Sequence, residues 1–263
     1  MLDKIIKIIE ITKNEQQRIL SPKLIFNDNY LLSLIMYWFK NQGHFIVNSD
    51  LDRKICKAFQ LVNVEGRYYI NGTLETPFKL RSKNEENPYA ESSATVSGVV
   101  GDFHVLYGKK KERIVLNPDA NEFVVLETTI NKPLKKGTKN LKEYHQIAKA
   151  IGCMIQTLSH LDNYFLDHLG LFVIAPQEML KLESFKDYTY KPFIEKLIIK
   201  RAEMYGDVES FLDLFHKLFP RFDIDCIAYE DIIRFIKKND NDEGELINRF
   251  YQRCLRYHGL NEK

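Results

Sequence analysis

Apolar residues recur along this chain at two spacings, helical at both ends and strand-like in the middle. Ile5, Ile8, Ile9 and Thr12 fall at helical spacing. From Tyr30 to Phe39 the chain is apolar nearly all round, which predicts a buried helix capped by Asp28 or Asn29. Ser49 or Asp50 is the expected cap of a third helix, Leu51 to Phe59. Three short helices can build a helix-turn-helix, and Arg53, Lys54 and Lys57 would then be its reading cations. Residues 62–95 alternate weakly. Asn71-Gly72 signals a turn there, and Lys83 to Pro88 reads as a loop.

Strand patterning dominates next. Val96 to Tyr107 reads as one strand, with Gly98 and Gly101 marking a bulge or close backbone approach. A connection from Gly108 to Asn121 carries a short strand at Ile114 to Leu116, and a further strand runs from Phe123 to Ile130. After a basic loop, Lys132 to Asn140, the spacing of Tyr144, Ile147, Ala148, Ile151, Ile155 and Leu158 predicts a helix over Leu141 to Leu161, capped by Asn140. Gly170 to Pro176 is an unbroken apolar run that proline ends, as in a buried parallel strand. Its return to the sheet is expected through a right-handed crossover. Helices follow over Pro192 to Tyr205, Val208 to Leu218, Tyr229 to Lys238 and Glu245 to Tyr257. There is no internal repeat. The pattern divides into an N-terminal helical segment (1–60), an α/β core (61–180) and a C-terminal helical segment (181–263).

Composition narrows the picture only slightly. The 263 residues are 44% hydrophobic and 28% charged, as in soluble globular chains. A net charge of +2 excludes a polycation, so contact with nucleic acid would need a local basic face. Lys109-Lys110-Lys111 with Arg113, and Lys132, Lys135, Lys136, Lys139 and Lys142, are the candidates, although solvated loops have the same composition. Cys56, Cys153, Cys226 and Cys254 form no C-x-x-C pair and fit reduced thiols. No signal peptide and no membrane-spanning run is legible, so a cytoplasmic chain without membrane association is expected.

The chemistry sits in two strands with one carboxylate each. Folded as a hairpin with its bend near residues 114–115, they would set Asp102 opposite Glu127, with Cβ atoms about 4.5–5.5 Å apart. Carboxylates that close repel unless a cation or a shared proton joins them. A divalent metal resolves the conflict and points to phosphodiester hydrolysis, in which a metal-bound water attacks phosphorus.

The order strand, strand, strand, helix, strand, with Asp102 in the second strand and Glu127-Thr128-Thr129 ending the third, resembles the PD-(D/E)xK nuclease superfamily. The resemblance covers residues 90–176. It implies an α/β fold with a restriction-endonuclease-like mixed sheet flanked by helices, extended by helices at both termini. It also implies Mg²⁺ (or Mn²⁺) held by Asp102, Glu127 and the Thr128 carbonyl, with Glu91 as a third acid and Glu75 behind it. The family's lysine two positions after the Glu is here Thr129, a departure shared with type IIS restriction endonucleases that carry Glu-x-Thr. Thr129 could still hydrogen-bond the attacking water. Lys142, Gln146 and Lys149 fall at i, i+4 and i+7 on the following helix, so Lys142 and Gln146 are ranked as catalytic helpers above Lys132, with His145 beside them.

The expected function is a metal-dependent endonuclease acting on DNA, of restriction or defence type, as a homodimer or with a partner subunit. The alternatives are a catalytically inactive nuclease-fold protein that binds nucleic acid or protein, and a structural α/β protein whose acids never meet. Plainer roles compete at single positions. Asp102 after Gly101 could form a turn. Asp119 of Pro118-Asp119 lies about 26 Å of extended chain from Glu127 and suits a turn. Asp240 to Gly244 is not a calcium loop, because Phe250 stands where the bidentate Glu must be. His44, His104, His160 and His168 show no ligand spacing.

Overall fold

The computed structural model describes residues 22–79, 87–108, 112–134, 137, 142–206 and 208–260. The helix expected over Ile5 to Thr12, most of the loop at Lys83 to Pro88, Lys109 to Lys111, Lys135, Lys136, Lys139 and the expected cap Asn140 lie outside them.

A short helix α1 (Pro22–Ile25) leads into α2 (Asp28–Lys40) and α3 (Asp50–Phe59). Asn27, not Asp28 or Asn29, caps α2, accepting the Tyr30 N–H at 3.0 Å. Ser49 caps α3 through the Asp52 N–H. Strands β1 (Arg67–Ile70), β2 (Thr73–Leu74), β3 (Ala94–Thr95), β4 (Gly98–Gly101), β5 (Phe103–Tyr107), β6 (Glu112–Leu116) and β7 (Glu122–Thr128) follow. The crossover helix α4 (Gln146–Leu158) precedes β8 (His168–Ala175). Then come α5 (Gln177–Leu180), α6 (Glu183–Thr189), α7 (Lys191–Tyr205), α8 (Glu209–Leu218), β9 (Asp223–Ala228), α9 (Tyr229–Asn239) and α10 (Asn241–Tyr257).

The main sheet has five strands in the order β1-β4-β7-β8-β9. Strand β4 is antiparallel to both neighbours, and β7, β8 and β9 are parallel. The protein is therefore mixed α/β, with a mixed sheet between helices. Alternation along β7 divides its side chains: Phe123 and Val125 enter the apolar cluster with α4, α7 and α8, while Val124 and Leu126 enter the one with α2, α3, α9 and α10. Each Leu or Ile buried there contributes roughly 1.5–3 kcal/mol. The helices at both ends thus pack on the core sheet, and β9 completes its edge. No described helix is long and apolar enough to cross a membrane.

Three expectations change. The stretch Val96 to Tyr107 is two strands, not one. Gly101 has φ +133°, and a Cβ there would stand 2.1 Å from the Glu122 carbonyl oxygen, so the chain breaks direction after β4. Strand β5 then pairs with β6 (Phe103 with Leu116, Tyr107 with Glu112) as a separate ribbon, while β4 pairs with β7 (Gly98 with Leu126, Gly101 with Phe123). The expected hairpin about residues 114–115 does not exist, because β6 occupies those residues. Second, α4 starts at Gln146, with His145 as its cap, accepting the Ala148 N–H at 3.3 Å. Third, α3 is not a free reading helix. Its Lys54 and Lys57 bind Asp225 and Asp223 of β9 at 2.7 and 2.6 Å, so they tie helix to sheet edge.

Candidate active-site region

The β4–β7 register decides which groups meet Glu127. Asp102 stands level with Glu122, five residues back along β7 and about 16 Å from Glu127 at the rise of a strand. Its Oδ2 accepts the N–H groups of Asn121 (2.9 Å) and Glu122 (3.2 Å), and its carbonyl accepts that of Asn117 (3.0 Å). Asp102 is a buried turn clamp, and its pairing with Glu127 is overturned. The β4–β7 register, with Gly98 opposite Leu126, carries Asp102 five residues past the position level with Glu127.

Ser97 takes the place beside Glu127. Its hydroxyl donates to Glu127 Oε2 at 3.4 Å and accepts the Thr128 N–H at 3.0 Å. From the other side Gln146 Nε2 donates to the same Oε2 at 2.7 Å. Glu127 is 1% exposed, at the carboxyl end of β7, where ligand crevices of α/β sheets form. Gln146 opens α4, so strand end and helix start face each other across a polar contact.

The other expected site residues disperse. The Thr128 side chain turns to the opposite face of the sheet, as the strand period requires. Thr129 exchanges hydrogen bonds with the backbone of Lys132, donating from Oγ1 to its carbonyl and accepting its N–H at 3.3 Å. Its hydroxyl therefore closes the end of the strand and is not presented to a water. Lys132 and Lys142 are exposed. Lys142 precedes α4, so the helical spacing that would align it with Gln146 does not apply, whereas Lys149 does share that helix.

Glu91 joins a separate charge cluster. Its Oε1 accepts the Thr76 hydroxyl at 2.7 Å, and its Oε2 lies 3.9 Å from Lys149 Nζ and 3.6 Å from Arg201 Nη2. Burial pushes the Glu91 carboxyl above its ordinary pKa, partly offset by Lys149, Thr76 and Arg201. Glu75 joins Lys79, Arg113 and His160 in a partly exposed ion cluster. His145 packs edge-on against Tyr188, and burial lowers its pKa to about 4, so it is a neutral helix cap.

These residues do not fit a divalent metal. Of the oxygens the resemblance implies, only the Glu127 carboxylate and the neighbouring Thr128 backbone stay together, and Mg²⁺ is held by one or two carboxylates on an open, hydrated face. Here the carboxylate is buried and takes donors from Ser97 and Gln146. Among the described residues no three His, Cys, Asp or Glu side chains converge as a metal site.

Sequence reasoning missed Ser97 and Arg201. Arg201 carried a signal: it falls on the stripe of Ile194, Leu197, Ile198 and Tyr205 along α7, and a cation on an apolar stripe needs a buried acid. Ser97 carried none beyond standing next to Gly98 where a strand begins. Comparison with models of known families, with curated proteins and with solved structures found no match, so the site is read from its own geometry.

Proposed function

We propose that this chain is a nucleic-acid-binding protein built on a restriction-endonuclease-like core that has lost metal-dependent hydrolysis. What supports the core is that β1, β4 and β7 in antiparallel succession, then helix α4 and parallel strand β8, follow the strand, strand, strand, helix, strand order, with β2, β3, β5 and β6 forming separate two-stranded ribbons. The observation that carries the loss of hydrolysis is Ser97 beside Glu127, where a second metal-binding acid is needed. What supports nucleic acid as the ligand is charge. The chain from Ile130 to Lys142, which leaves the end of β7 and leads to α4, holds five lysines and no acid. Such a cluster attracts phosphates whatever the base sequence.

The hydrolytic alternative rests on Glu127 standing at the end of its strand with Gln146 against it. It requires a second carboxylate at that point, and the strand register brings a hydroxyl instead. Binding is tested by fluorescence anisotropy with a labelled DNA duplex over a salt series. The expected result is sequence-independent binding that weakens steeply as salt rises; no binding at about 50 mM salt contradicts the proposal.

A further inference from the structure

We infer that Lys149 is a phosphate-contacting side chain of this site, held in position by Glu91; the inference rests on the nucleic-acid reading above. Lys149 stands three residues after Gln146 on α4, so the two side chains leave the helix on the same side. Its side chain is 20% exposed, whereas those of Glu91 and Arg201 beneath it are 3% and 1% exposed. Among the described residues the cluster holds two cations and one acid, and of these side chains Lys149 is the most exposed.

The separations favour a cation available to a ligand. Lys54 and Lys57 approach their acids to 2.7 and 2.6 Å, but Lys149 stays 3.9 Å from Glu91. That distance gives electrostatic attraction without a hydrogen bond, leaving the ammonium donors for an incoming oxygen. Thr76 holds one oxygen of Glu91, and the other lies nearer Arg201 (3.6 Å) than Lys149 (3.9 Å). Arg201 is itself fixed between the rings of Phe78 and Tyr144, at 5.8 and 5.4 Å from their centroids. The carboxylate that would repel phosphate most, Glu127, is buried and hydrogen-bonded by Gln146.

The test measures affinity for a labelled DNA duplex over a salt series in the parent chain and in Lys149→Met, Lys149→Arg and Lys54→Met, with thermal unfolding to confirm that each variant folds. Loss of one phosphate contact is expected to flatten the log-affinity against log-salt slope of Lys149→Met by about one. Lys149→Arg should restore the slope, and Lys54→Met should leave it unchanged. If the parent chain binds and Lys149→Met matches it in affinity and slope, this inference fails alone. If the parent chain does not bind, the inference and the reading beneath it fail together.

Discussion

Gln146 donates its amide N–H to Glu127 across 2.7 Å, from the first residue of a helix to the last turn-ward acid of a strand. With Ser97 on the same oxygen, this contact turns a carboxylate suited to a metal into a buried structural acceptor. A buried carboxylate is tolerated when donors replace its lost water.

A second acid beside Glu127 should create metal affinity. Ser97→Asp puts a carboxylate where the serine hydroxyl now meets Glu127, and the two acids then repel in the absence of a cation. The variant is expected to melt below the parent chain in a chelator and to recover with Mn²⁺, while the parent chain shows no Mn²⁺-dependent shift. A metal-independent melting curve for Ser97→Asp would contradict the strand register described here.

Asp102 should matter to stability and not to binding. Asp102→Ala leaves the N–H groups of Asn121 and Glu122 without their acceptor and is expected to cost about 1–3 kcal/mol in urea unfolding. DNA affinity under native conditions should stay unchanged. A variant as stable as the parent, or one selectively impaired in binding, would show that Asp102 is not a turn clamp.

Acid should weaken the fold through His145. Its folded pKa of about 4 lies below the ordinary 6.5, so the unfolded chain takes up a proton first. The stability this neutral cap supplies is full above pH 6.5, falls as pH drops toward 4 and levels off below, a loss of roughly 3 kcal/mol. His145→Asn keeps a capping oxygen and removes the titration. Urea unfolding of the two proteins across that range should show the parent losing stability relative to the variant as pH falls from 6.5 to 4; parallel curves would exclude His145 as the source.

How much of this was legible in the sequence follows from how local each signal is. The strand read as Phe123 to Ile130 (found as Glu122–Thr128), the helix after it and the strand ending at Pro176 were readable from periodicity and breakers, whereas Gln146, ranked only as a helper beside Lys142, stands against Glu127. Strand β9 was not read, because Asp223 and Asp225 interrupt its apolar residues as befits an edge. The partner of Glu127 was misread because register is a non-local property. A single glycine with positive φ split one apparent strand in two, and the β4–β7 register brought Ser97, not Asp102, to Glu127. Helix α4 was begun too early, since His145 caps it by a ring nitrogen, outside the usual capping residues.

The central claim, that this site grips a nucleic-acid backbone without cutting it, is tested most directly by incubating the purified chain with supercoiled plasmid and Mg²⁺ or Mn²⁺, alongside Glu127→Gln. The account predicts a gel-shifted but intact plasmid, with no nicked or linear product above that of the variant. Nicking by the parent chain that Glu127→Gln abolishes would contradict it.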